Sequence, residues 1–154
     1  MNKEEVIMIG LRNMFNKIAW LNKDEMQEAL KEYKSSEVHC IEAIHDLKNP
    51  NVKSLTEQLF MTRGAISKLT KRLQTKSLIE SYRSDSNKKE IYFRLTLKGQ
   101  QVYNTHQQLH AKFEARDRVV FDNLSQEEFD SIYQFIERYN NHLDDEIKKN
   151  ELQL

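Results

Sequence analysis

The chain has 154 residues with one cysteine, one proline, three glycines and no long apolar run. The lone Cys40 excludes an intrachain disulfide and fits a reducing interior. With Pro50 the only proline and Gly10, Gly64 and Gly99 the only glycines, long helices with few irregular loops are expected. No apolar stretch approaches the roughly 20 residues of a membrane-spanning helix. No charged-plus-apolar leader pattern appears at the N-terminus. The expected setting is cytoplasmic, without membrane contact. A Gly-rich phosphate loop, a Gly-x-Ser-x-Gly elbow and a Cys-x-x-Cys pair are all missing, so neither an enzyme nor a cofactor is expected. The apolar fraction, 38%, is low for a chain that buries its surface alone, which points to oligomerisation.

Net charge is zero, but it is unevenly spread. From Lys53 to Lys98 there are eleven basic residues against four acidic ones, a surplus of seven positive charges that the remainder cancels. A local basic footprint is what duplex binding requires, whatever the total.

The information concentrates between Ser54 and Gly99. Ser54 and Glu57 stand at capping-box spacing and predict a helix start, with Leu55 and Leu59 on its inner side. Phe60 and Met61 make a turn, and Thr62 is a suitable N-cap for a second helix. On that helix Ile66, Leu69 and Leu73 repeat every three or four residues and face inward. The opposite side presents Arg63, Gly64, Ser67, Lys68 and Lys71. Small residues allow close backbone approach, and Arg or Lys reach guanine edges and phosphates; the helix N-terminus also favours phosphate. Alternation then predicts strands at Glu80–Arg83 and Ile91–Leu95, with Ser84-Asp85-Ser86-Asn87-Lys88-Lys89 as a turn-rich basic tip. Such a hairpin fits a minor groove. Thr96 caps the helix that follows.

The run LTEQLFMTRGAISKLTKRLQTKSLIE, the basic wing and the closing LTLKG resemble the multiple-antibiotic-resistance regulator (MarR) family of bacterial transcription factors. The resemblance extends over most of the chain. It departs at Phe60 and Ser77, where the family often has glycine, and at Lys88 and Lys89, where arginines are usual.

Outside this module, residues 4–33 read as one helix whose Ile7, Leu11, Met14, Ile18 and Leu21 approach a coiled-coil seam. The competing reading is an amphipathic helix packed on its own domain. Ser35 and Ser36 are candidate caps for a helix with Val38, Ile41, Ile44 and Leu47 inward, stopped by Lys48-Asn49-Pro50. A long helix is expected from Thr96 to Phe121, with Val102, Leu109 and Phe113 on one side. Ser125 and Glu128 form a capping box for a last helix carrying Phe129, Ile132, Ile136, Tyr139, Leu143 and Ile147, with fraying expected from Lys148 to Leu154. The resulting expectation is a mainly α fold with a small β-hairpin wing. Residues 34–98 form a winged helix-turn-helix for DNA, 1–33 and 122–154 are dimerisation helices, and 96–121 link them.

His106 and His110 stand four apart on one helix, so both rings can meet one ion. By the family resemblance, His39 and Cys40 sit where zinc-responsive members supply further ligands, and Glu25, Glu28 or Glu32 are candidates to complete a shell. The bland alternative is an ordinary pair of helical histidines; likewise Cys40 reads as inert packing. Apolar residues around Phe15, Trp20 and the second helix are candidates for an effector pocket that the resemblance implies.

The expected function is sequence-specific DNA binding by a homodimeric repressor, acting on a near-palindromic operator and released by a small effector. Arg63, Ser67 and Lys68 are expected at base edges or nearby phosphates, with Gly64 allowing close approach. Ser54, Thr62, Lys71 and Arg72 would hold the backbone; Arg83, Lys88, Lys89 and Arg94 would serve the wing. The alternatives are a winged-helix protein-interaction module for an acidic partner, or a metal-sensing variant of the same regulator.

Overall fold

The computed structural model describes residues 1–152. Its order is α1 (Lys3–Ala29), α2 (Ser35–Asp46), α3 (Val52–Leu59), α4 (Arg63–Thr75), β1 (Ile79–Tyr82), β2 (Tyr92–Leu95), α5 (Leu97–Asp117), α6 (Val119–Asp122) and α7 (Gln126–Leu152). The chain divides into two compact units, Met1–Phe113 and the part from Glu114 onward.

Boundaries follow local chemistry. Asn2 and Glu5 cap α1 reciprocally, and α1 stops at Ala29, four residues before the predicted Tyr33. At α2 the predicted serine cap gives way to a carboxylate: Glu37 accepts the Lys34 N–H at 3.0 Å. The start of α3 is a second correction. Asn51 caps it, its Oδ1 accepting both the N–H and the hydroxyl of Ser54 at 2.9 Å, so Ser54 lies inside the first turn and forms no box with Glu57. The longer amide of Asn51 reaches the N3 donor from a position directly after Pro50. Thr62 does cap α4, accepting from the Ala65 N–H at 3.1 Å. Thr96 accepts from the Gly99 N–H at 3.1 Å and donates to the Ser77 carbonyl at 2.6 Å, tying the start of α5 to the turn that follows α4. The helix after it breaks at Arg118 rather than running to Phe121. Ser125 and Glu128 form the expected box before α7. That helix stays regular to Leu152, past the point where fraying is expected; Gln153 and Leu154 lie outside the described residues.

The core of the first unit joins Val38, Ile41 and Ile44 of α2, Leu55 of α3, Ile66, Leu69 and Leu73 of α4, then Leu78, Ile79, Phe93 and Val102. Leu47 lies past the end of α2 and is exposed rather than inward. The strands pair antiparallel with Ile79 opposite Leu95 and Tyr82 opposite Tyr92, each starting within a residue of expectation. Phe93 N–H donates to the Pro50 carbonyl at 3.0 Å, and Asn51 bridges Tyr92, so the hairpin is anchored to the start of α3.

Among the described residues four non-glycines take left-handed backbone: Lys48, Asn49, Phe60 and Ser77, with φ of 55°, 64°, 53° and 60°. Of these, Phe60 and Ser77 are the two positions where the resembled family often has glycine. Gly99 is a different case, since a Cβ there would lie 2.0 Å from the Leu78 carbonyl oxygen. Ser77→Gly should therefore raise stability by about 0.5–1 kcal/mol, whereas Gly99→Ala should lower it by at least about 1–3 kcal/mol. Denaturant melts of both variants check this; equal stabilities would contradict it.

Candidate nucleic-acid interface

Burial on one side of α4 leaves the other side in solvent. Ile66, Leu69, Thr70 and Leu73 are buried, and Arg63, Gly64, Ser67, Lys68, Lys71 and Arg72 are all exposed. Nothing lies within 4 Å of a Cβ added at Gly64. The fold does not require a glycine there, although glycine weakens a helix. Thr62 is exposed at the head of the same face, and Ser54 is half-buried on α3.

The wing also presents cations. Lys88 and Lys89 are exposed at the hairpin tip. Asn87 Oδ1 accepts from the Lys89 and Glu90 N–H groups at 3.2 and 3.3 Å, and the Arg83 guanidinium donates to the Lys88 carbonyl. Arg83 thus shapes the tip while remaining exposed. Arg94 is committed within the sheet: Nε meets Glu80 Oε1 at 2.7 Å, and the guanidinium lies 4.7 Å from the Tyr82 ring centroid. Two further cations of the basic segment turn toward the protein. Lys76 pairs with buried Glu37 at 2.9 Å, and Lys98 donates to the Lys76 carbonyl at 3.1 Å. Both pairs join residues far apart in sequence, so no local pattern announces them.

A cavity of about 530 Å³ lies between α1, α2 and α5, lined by Met26, Leu30, Tyr33 and Val38 on one side and by His39, His106 and His110 on another. The second helix lines it, as the sequence suggests, but Phe15 and Trp20, 61% and 74% exposed, do not. The Met26–Leu30 pair, four apart and leading to Tyr33, was the available signal. His106 and His110 do meet, Nε2 to Nε2 at 3.1 Å. His39 lies 6.5 Å from His106 between ring centroids, and Glu42 Oε2 is 3.7 Å from His106 Nδ1. Cys40 is fully buried in the α2 core, and burial pushes its thiol up to about 12, so it is protonated and inert at neutral pH. Among the described residues no group of three or more His, Cys, Asp or Glu has a geometry that would hold a metal ion.

Burial, and then the neighbouring His110, hold His106 below its ordinary range; Glu42 opposes this and His39 adds to it. Such a group favours the fold while neutral. Its contribution is complete above the unfolded value near 6.5 and is lost as pH falls and the unfolded chain takes up the proton.

A model of the MarR family matches residues 34–91. The HTH-type transcriptional regulator PchR of Bacillus subtilis (strain 168) is 30% identical over 109 residues, covering 71% of this chain and 64% of that protein. The chain thus spans less than two thirds of this curated relative. Among solved structures, Streptococcus pneumoniae FabT in complex with DNA superposes with a TM-score of 0.78 at 22% identity, over 93% of this chain and 99% of FabT. The organohalide-sensing regulator RdhR-CbdbA1625, in its 2,4-dichlorophenol-bound form, has a TM-score of 0.65 at 11% identity, over 92% and 82% of the two chains. At these identities the structural likeness speaks for the fold: mainly α, with a two-stranded wing. Among the described residues no helix is long and apolar enough to cross a membrane.

The melting temperature should fall between about pH 7.5 and about pH 5.5, and fall less in His106→Gln. Equal falls in the two proteins would remove His106 as a source of acid sensitivity.

Proposed function

We propose that the chain, whose residues 34–91 match a model of the MarR family, is a sequence-specific DNA-binding repressor of that family acting as a homodimer. The observation that carries this reading is the exposed face of α4, small and basic, backed by a fully buried opposite stripe. Arg63, Ser67 and Lys68 reach base edges or adjoining phosphates while Gly64 lets the backbone approach. Thr62, Lys71 and Arg72, with Ser54 from α3, hold the phosphate backbone. Lys88 and Lys89 neutralise charge along the minor groove, with Arg83 setting the tip and Arg94 serving the wing through Glu80 and Tyr82.

Pairing of two copies follows from what each unit leaves uncovered. No residue of α1 is buried, and Ile7, Met14 and Leu21 are exposed along it. On α7, Phe129, Ile132, Ile136, Tyr139 and Leu143 are exposed as well. Apolar stripes of this length mark association surfaces, and the seam spacing of α1 suits a second copy. A twofold pair sets two α4 helices about one DNA turn apart, so the operator is a near-palindrome. Bound at a promoter, the pair represses.

The cavity beside Met26, Leu30 and Tyr33 suits a small, mostly apolar effector. Its binding would favour dimer conformations whose α4 separation mismatches the operator. Use of the same basic face for an acidic protein partner is the competing reading, and a mobility shift separates them.

Duplex from upstream of the protein's own gene should shift at lower protein concentration than random duplex, with affinity falling steeply as salt rises. Arg63→Ala should cost specific binding about 1–3 kcal/mol. Joint replacement of Lys88 and Lys89 by Ala should weaken all sequences alike and flatten the salt slope. Gly64→Ala should leave the fold at least as stable and yet weaken operator binding. Unchanged operator affinity in the Arg63 and Gly64 variants would remove this role from α4.

Ala19 of α1 also lines the cavity, so a small molecule that raises the melting temperature of the wild type should lose that effect in Ala19→Trp, whose side chain occupies the space. Retention of the effect would move the effector site elsewhere.

A further inference from the structure

Among the described residues Glu37 is the one buried carboxylate, and its counter-ion comes from the end of the reading helix. Lys76 directly follows α4, closing it with its N–H on the Arg72 carbonyl at 3.0 Å. The Lys76 Nζ lies 2.9 Å from both carboxylate oxygens of Glu37. It also lies 3.5 Å from the Glu32 carbonyl oxygen and 5.8 Å from the Tyr33 ring centroid. Glu37 in turn accepts the Lys34 N–H at the head of α2. Although burial alone would push that carboxyl up, Lys76, the Lys34 N–H and Arg72 together hold it below its usual range, so the pair is charged.

A buried ion pair is a weak source of stability, because desolvation offsets its attraction. The Lys76 side chain stays 38% exposed while that of Glu37 is fully buried, so the pair is selective for geometry through Glu37, whose charge is met only when Lys76 comes within close range. Here that selectivity falls on one helix. The head of α4 is joined to α3 by the short turn at Phe60 and Met61, and the tail is tied to α2 by Lys76. The helix is about 20 Å long, so a rotation of about 5° around the capped head moves the tail by about 2 Å. At Ser67, Lys68 and Lys71, nearer the head, the same rotation gives about 0.6–1.2 Å, beyond the ~0.5 Å within which such contacts must be held.

We propose that Glu37 and Lys76 are a positioning pair that sets the angle at which α4 is presented, with Lys76 an internal anchor and not a phosphate contact. This rests on the reading of α4 as the helix that enters DNA. It separates Lys76 from Lys68 and Lys71, which sequence alone places in the same basic set.

The test uses the full chain and a duplex that the wild type selects from a random-sequence pool. In the double variant Glu37→Gln with Lys76→Met both charges are removed and volumes are nearly kept, so the fold should persist. Binding to the selected duplex and to unselected duplex is then measured across a salt series. The expected result is unchanged unselected binding with an unchanged salt slope, and selected-duplex affinity about tenfold weaker. Unchanged affinity for the selected duplex would overturn the positioning role. A salt slope reduced by about one would overturn it differently, by making Lys76 a direct phosphate contact. Should the double variant not fold, Glu37→Asp keeps both charges but shortens the reach by one methylene. It should narrow the selected-to-unselected ratio at constant slope, and an unaltered ratio would again refute the pair's role. If the wild type enriches no sequence at all, the DNA-reading premise falls and this proposal with it, a result distinct from a selective wild type matched by an equally selective variant.

Discussion

The packing of one side of α4 decides what its other side can be. Ile66, Leu69 and Leu73 enter a core shared with α2 and α3, each contributing about 1.5–3 kcal/mol through burial. Rolling the helix to hide its polar face would forfeit most of that, about 5–9 kcal/mol, a sum comparable with the whole stability of a domain this size. Arg63, Ser67, Lys68 and Lys71 are therefore held outward by hydrophobic burial behind them. No interaction of their own is needed to keep them there.

Charge alone would describe the surface less well. The basic segment is rich in lysine and arginine, but the structure sorts these cations into two groups. Those along the outer face of α4 and at the wing tip are exposed, whereas Lys76, Arg94 and Lys98 are engaged with Glu37, Glu80 and a main-chain carbonyl. The second group builds the platform that the first group stands on. Removing a cation of each kind would have different consequences, and a count of basic residues conceals the difference.

Much of this was legible from sequence because it depends on local periodicity. The inward stripe of α4, the Thr62 cap, the paired strands and the Ser125–Glu128 box all follow from residues within a few positions of one another. Where reading failed, the cause was competition or distance. Asn51 displaced Ser54 as the cap of α3 because the helix begins earlier than the Ser54–Glu57 spacing implies, which makes the Ser54 N–H itself one of the donors to be capped. The cavity lies between three helices, beyond the exposed Phe15 and Trp20 that drew attention to α1, and its histidine wall comes from both α2 and α5. Glu37 and Lys76 stand 39 residues apart, so their partnership exists only once the chain has folded. The left-handed Phe60 and Ser77 were marked by the family resemblance, as positions where glycine is usual, and both take positive φ.

The uncovered stripes of α1 and α7 and the outward face of α4 support one account: two copies joined through their helical ends, each presenting a reading helix to the same side of a duplex. Hydroxyl-radical and methylation footprinting on a selected operator tests that account most directly. It predicts two protected major-groove windows on one face of the DNA, with centres about one helical turn apart. A single window, or protection with no such spacing, would contradict it.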